Sequence, residues 1–216
     1  ITLLNDHTVC RVIELSIADK GDPGVPFSWL CFGSEGRREQ TLHTDQDNGI
    51  LFDAESAEEA EVIRRRLLPL ARRINQQLAQ CGFSLCPGNI MAGNPELCLS
   101  RSEWARRVSS FVREASPESL LGSSIYFDLR VIWGDEDGGE QLRQQLFTEI
   151  QDNNLFQRML AANALQHRPP VGRFRDFVVA RSGAEKHTLD LKTEGLTPFV
   201  DGARLLALVH GVADCN

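Results

Sequence analysis

Apolar positions recur at Val9, Val12, Ile13 and Ile17 within residues 1–19, the spacing of one helix face, and the run stops at "KGDPG". The β-branched and aromatic stretch "VPFSWLCFG", residues 25–33, ends at glycine and predicts a buried strand. A polar turn follows. From Asp45 to Asp53 the alternation predicts a second strand, with Ile50 and Phe52 on one face and Asp45 and Asp47 on the other. Ser56 as a cap, early acids and a stop at Gly82 predict a long helix. Its Arg64, Arg65 and Arg66 lie about 100° apart around the axis, so they form no patch and read as solvated helix surface.

"CPGNIMAGNPEL" reads as a loop or short strand, and a helix is expected from about Ser102 to Glu114. "SSIYFDLRVIWGD", residues 123–135, alternates throughout. Ile125, Phe127, Leu129, Val131 and Trp133 share one face of a predicted strand, and Tyr126, Asp128 and Arg130 share the other. Two amphipathic helices are expected near 139–151 and 153–166, then the linker "HRPPVG". "FRDFVVARSG" and "KHTLDLKTEG" read as short strands or loops, and "LTPFVDGARLLALVHG" as a closing helix. The expected organisation is a strand-containing domain over 1–140 and a smaller, mostly helical domain over 141–216 that leans on the first for its core.

Charge and composition narrow the function classes. A net charge of -7 argues against a nucleic-acid partner, and no apolar run is long enough for a membrane helix, so a cytoplasmic location is expected. Cys10, Cys31, Cys81, Cys86, Cys98 and Cys215 form no CxxC pair and read as reduced thiols; no His stands at zinc-ligand spacing from Cys81 or Cys86. A start at Ile1 and an end at "GVADCN" suggest a piece of a longer protein.

The candidate chemistry lies in "FGSEGRREQTLHTDQDNGILFD", residues 32–53. Asp45 and Asp47 on one strand face suit a hard divalent cation such as Mg²⁺ or Mn²⁺, which takes oxygen ligands from a few carboxylates and from phosphates. Gly33, Ser34 and Gly36 form a turn whose backbone N–H groups and hydroxyl suit phosphate, and Arg37 and Arg38 supply positive charge for a leaving pyrophosphate. His43 reads as a base or a surface histidine, and Asp128 with Arg130 as site residues or a surface ion pair. A silent nucleotide-binding module and a metal-dependent glycosyltransferase are the alternatives to an enzyme of nucleotidyl transfer.

This arrangement resembles the nucleotidyltransferase superfamily that includes DNA polymerase β, in which a Gly-Ser turn, an Asp-x-Asp strand and a later third acid recur. More narrowly, "GSEGRREQTLHTDQDN", "CPGNIMAGNPEL", "SIYFDLRVIWGD" and "LDLKTEGLTPFVDGARLLAL" look like bacterial nucleotidyltransferases related to the PII uridylyltransferase. The resemblance implies an α/β (α+β) fold, a mixed sheet flanked by helices with a helical substrate-binding domain after it. It implies Asp45, Asp47 and Asp128 as metal-binding catalytic acids, with Gly33, Ser34, Gly36, Arg37, Arg38 and Lys192 facing the nucleotide, and Glu39 and Arg130 in support. It further implies a nucleoside triphosphate as donor, a hydroxyl on a protein or small molecule as acceptor, a role in signal transduction, and upstream CBS or cyclic-nucleotide-binding-like domains. Gln46 and Asn48 depart from the aliphatic residues many relatives carry beside the acids.

Overall fold

The computed structural model describes residues 1–42, 44–114, 124–166, 171 and 188–212, without the side chains of Lys20, Ser124, Ile125, Lys192 and Thr193. His43, Cys215, the "FRDFVVARSG" segment and all of the "HRPPVG" linker but Val171 lie outside them.

Helix α1 runs Thr2–Lys20 and ends where Gly21 takes a φ of 92°. Its predicted stripe is its buried side: Val9, Val12 and Ile13 are core residues. Strand β1 spans Ser28–Cys31, the one-turn helix α2 spans Gly33–Gly36, and strand β2 spans Asn48–Phe52. β2 therefore starts three residues later than the alternation suggested. Asp45 makes only an isolated bridge to Ser84, while the Phe32 N–H donates to the Asp47 carbonyl at 2.9 Å. Helix α3, Ala57–Gln80, is capped by Ser56, whose hydroxyl accepts from the Glu59 N–H. Strand β3, Cys98–Ser100, had no legible period in its three residues; helix α4 follows at Arg101–Glu114.

The predicted 123–135 strand is corrected. Residues Ser124–Phe127 form a 3₁₀ turn, Asp128 sits in a bend, and strand β4 is only Arg130–Trp133. Tyr126, Phe127, Asp128 and Leu129 are all buried, so the segment has no wet face there. A turn can sink four successive side chains, whereas a strand sends alternate ones to opposite sides.

Among the described residues the sheet is four-stranded and mixed, in the order β3-β2-β1-β4. β1 is antiparallel to both β2 and β4, and β2 is parallel to β3. Trp29, Ile50 and Phe52 join α1 and the Ile63, Leu67, Ala71 and Ile74 side of α3 in one core. A fully buried Trp29 or Leu67 there contributes on the order of 2 kcal/mol. The second layer is aromatic: the Phe32 ring lies 5.8 Å from Trp104 and 5.3 Å from Tyr126, and the Trp104 indole N–H donates to the Ile50 carbonyl at 2.8 Å. The fold class is thus the expected mixed α/β arrangement.

Arg64 departs from the solvated reading: its side chain is 12 % exposed, paired with Glu61 and Glu103, and donates to the Cys98 carbonyl at 2.8 Å. It ties α3 to β3. Arg65, 75 % exposed, does lie on the surface.

The chain divides into two compact units, one of residues 1–110, 123–146 and 214–216, the other of 111–122 and 147–213. The second unit includes helix α6, Asn154–Ala164, and helix α7, Thr197–His210, which are packed together. Helix α5, Asp137–Gln151, passes from the first unit into the second. The end of "KHTLDLKTEG" is not a strand: Leu191–Leu196 form a π-helical turn leading into α7. Among the described residues no helix is long and apolar enough to cross a membrane, and Cys10, Cys31, Cys81, Cys86 and Cys98 are free thiols.

Candidate active site

The site begins where β1 stops. Gly33 takes a φ of 57°, a left-handed conformation glycine adopts without penalty, and this turns the chain into α2. Arg38 closes the turn with a φ of 60°, which costs a residue with a Cβ roughly 1–2 kcal/mol. The turn is secured by the Glu39 N–H donating to the Ser34 carbonyl at 2.8 Å and by the Thr2 hydroxyl donating to the Arg38 carbonyl at 2.9 Å. Ser34 is half-exposed, Arg38 exposed, and Gly33 and Gly36 buried.

Gly36 has a second reason to be glycine. A Cβ at this position would stand 1.7 Å from the Asp128 carbonyl oxygen, so the turn and the 124–130 segment meet backbone to backbone. Asp128, 7 % exposed, accepts a hydrogen bond from Arg37 Nη1, while Arg37 Nε donates to Glu39 at 2.8 Å. Burial alone would lower the Arg37 pKa; attraction to Asp128 and Glu39 outweighs it and raises the pKa. Arg130 forks onto Asp6 at 2.9 and 3.0 Å and donates to the Glu35 carbonyl at 3.1 Å.

Asp45 is exposed and Asp47 half-buried. Between them Gln46 points inward: its amide donates to the Asn75 and Phe83 carbonyls and accepts from Asn75 Nδ2 at 2.8 Å. Asn75 Nδ2 also donates to Asn48, which in turn accepts from the Ala92 N–H at 2.8 Å. The two residues that depart from the aliphatic pattern are therefore the ends of a buried amide network pinning the acid segment to α3 and the 86–93 loop. Neutral amides satisfy one another inside the fold and leave both carboxylates on the outer side.

Three further groups were not legible in the sequence. Glu35, the variable residue of the Gly-Ser-x-Gly turn, is 4 % exposed; burial first, then the charges of Asp6 and Asp47, push its pKa up to about 8 against the pull of Arg130. The Cys86 thiol shares a hydrogen bond with Asp47, and burial and then that carboxylate raise its pKa. Nothing in linear spacing connects residues 47 and 86. Gln40, 6 % exposed, has neither amide atom hydrogen-bonded.

The structure thus brings Gly33–Arg38, Asp47 and Asp128 to one end of β1. It does not gather the acids into one cluster: among the described residues no three His, Cys, Asp or Glu side chains form a group that could hold a metal ion. Asp45 and Asp47 fit a divalent cation held by one or two carboxylates together with phosphates and water. Asp128 is committed to Arg37 instead. The π-helical turn that carries Lys192 belongs to the second unit, and His43 lies outside the described residues. A cleft of about 680 Å³, lined by Phe27, Trp133, Asp53 and Arg101, opens at the opposite end of β1 and β2 from the turn and contains none of these residues.

A family model described as "Putative nucleotidyltransferase DUF294" matches residues 1–118, and one described as "Putative nucleotidyltransferase substrate binding domain" matches residues 154–216. The chain belongs to the DUF294 family. The first match spans the Gly-Ser turn, both aspartates and the amide network, and the second spans α6 and α7. No curated protein matches the chain. A nucleotidyltransferase-like function follows at the level of the family.

Proposed function

We propose that this DUF294 chain transfers a nucleoside monophosphate from a nucleoside triphosphate to a hydroxyl on a protein or small molecule, with Mg²⁺ or Mn²⁺ as cofactor. The observation that supports this reading is the placement of Asp47 at the Gly33–Arg38 end of β1, with exposed Asp45 two residues before it and neutral amides holding the acid segment from within. In the reaction, the acceptor oxygen forms a bond to the α-phosphorus, the bond to the β-phosphate oxygen breaks, pyrophosphate leaves, and the acceptor proton passes to solvent. Asp45 and Asp47 hold the cation, which when bound neutralises phosphate charge and lowers the pKa of an oxygen it touches. The Gly33–Gly36 backbone and Ser34 bind phosphate oxygens, and Arg37 and Arg38 stabilise charge on the leaving group. The helical residues 141–216 bind the acceptor. We further infer a role in cytoplasmic signal transduction, under the control of CBS or cyclic-nucleotide-binding-like domains upstream.

The test offers each α-labelled triphosphate with Mg²⁺ or Mn²⁺ to small cellular proteins and metabolites. Label transfer and pyrophosphate release are expected from the wild type and absent from Asp45→Asn/Asp47→Asn. Equal transfer by both proteins refutes the proposal. Triphosphate binding by the wild type without pyrophosphate release marks the chain as a silent nucleotide-binding module.

A further inference from the structure

We propose that Asp128 is a positioning residue, which orients the Arg37 guanidinium towards the nucleotide phosphates, and is not a ligand of the cation. The inference rests on the nucleotidyl-transfer reading and reassigns one acid within it. Sheet order supplies the first reason. β1 stands between β2, which Asp45 and Asp47 precede, and β4, which Asp128 precedes. Cys31 pairs with Asn48 on one side and with Arg130 on the other, so Asp47 and Asp128 flank the end of β1 from opposite sides. Two strand spacings separate their backbones by roughly 10 Å. Ligands of one magnesium ion lie about 2 Å from it, which two backbones that far apart meet only if both side chains turn inward across β1.

The Asp128 side chain turns to Arg37 instead. Its carboxylate is 8 % exposed and paired with a guanidinium that is itself 20 % exposed. With Nη1 on Asp128 and Nε on Glu39, two sides of the planar fork are fixed, which sets the direction of Nη2. The surrounding contacts serve the same end: Arg130 holds the Glu35 carbonyl, and the Asp128 backbone abuts Gly36. Residues 128–130 therefore brace the phosphate turn from behind. Removing the Asp128 charge leaves Arg37 with Glu39 alone and frees the guanidinium to swing.

The experiment measures Mn²⁺ binding by electron paramagnetic resonance and, separately, binding of a non-hydrolysable triphosphate analogue. It uses wild type, Asp47→Asn, Asp128→Asn, Arg37→Gln and the Arg37→Gln/Asp128→Asn double variant. Asp47→Asn is expected to lose Mn²⁺ affinity by about tenfold or more, and Asp128→Asn to hold it within about twofold. Asp128→Asn and Arg37→Gln should each weaken the analogue about tenfold, and the double variant should be no weaker than Arg37→Gln, because both changes remove one interaction. Should Asp128→Asn fail to fold, the double variant, a neutral pair, carries the comparison. Loss of Mn²⁺ affinity on Asp128→Asn equal to that of Asp47→Asn, or in the double variant relative to Arg37→Gln, overturns the inference alone. Wild type that binds neither Mn²⁺ nor the analogue overturns the nucleotidyl-transfer reading and the inference with it.

Discussion

Two acid-bearing segments that each precede a strand, Asp45–Asp47 before β2 and Tyr126–Leu129 before β4, are secured in opposite ways. In the first, the polar side chains that face inward are neutral amides: Gln46 and Asn48 close a network through Asn75, and the charged residues face out. In the second, the charged residues are themselves the fasteners, Asp128 to Arg37 and Arg130 to Asp6, and all are mostly buried. An amide can satisfy a buried donor and acceptor without carrying charge inside, whereas a buried carboxylate needs a cation beside it. The first arrangement leaves its acids outside the buried network; the second ties them into the fold.

The largest break in this comparison is expected at Gly36→Ala. With a Cβ 1.7 Å from the Asp128 carbonyl, the turn and its brace must separate. A loss of about 3 kcal/mol or more in denaturant unfolding is expected, larger than an ordinary surface glycine substitution. A loss under about 1 kcal/mol would show that the two backbones do not meet as described.

Asn75→Ala cuts the amide network on the other side. Gln46, Asn48 and the Gly93 N–H, which donates to Asn75 Oδ1 at 2.9 Å, all lose a buried partner. The expected cost is roughly 2–3 kcal/mol, the low end of about 1–3 kcal/mol for each of the two groups left unpaired, since Asn48 keeps the Ala92 N–H and water can enter a partly buried gap. Hydrogen exchange should quicken at residues 46–48 more than at 128–131. Uniform quickening across both segments would mean that the network does not act locally.

The smallest effect is a slope with pH, read from Glu35 in metal-free protein. Its folded pKa of about 8 lies above the ordinary glutamate value of 4.5, so between those two pH values the folded chain keeps a proton that the unfolded chain has released. Stability therefore falls as pH rises through that window, by at most ~1.4 kcal/mol per unit and by roughly 2 kcal/mol in all once the site relaxes. Glu35→Gln should flatten the slope and be the more stable protein near pH 8. Parallel wild-type and variant profiles would place the Glu35 carboxyl in water.

Much of the fold was legible where pattern and burial coincide. The Val9, Val12, Ile13 stripe became the buried side of α1, and Ser56 and Gly211 mark helix ends as such residues do. The reading of residues 123–135 failed for a physical reason: alternation describes side-chain types, and the end of a 3₁₀ turn with the bend after it, which together bury the four successive residues 126–129, carries the same string. Arg64 was misread because a helix surface is wet only until β3 and Glu103 cover it. β3 is too short to have a period at all.

The sequence by itself determined the parts available for chemistry: a Gly-Ser-x-Gly turn, two acids one residue apart, and enough apolar periodicity to build helices around a mixed sheet. Those are local properties, set by backbone freedom, charge and spacing along the chain. Which acids share a site is not local. The sheet order put β1 between Asp47 and Asp128 and gave Asp128 to Arg37, and the fold brought Cys86, 39 positions along the chain, to the side of Asp47. Strand order and side-chain partners are fixed by how whole faces bury against one another, and only the folded chain decides that.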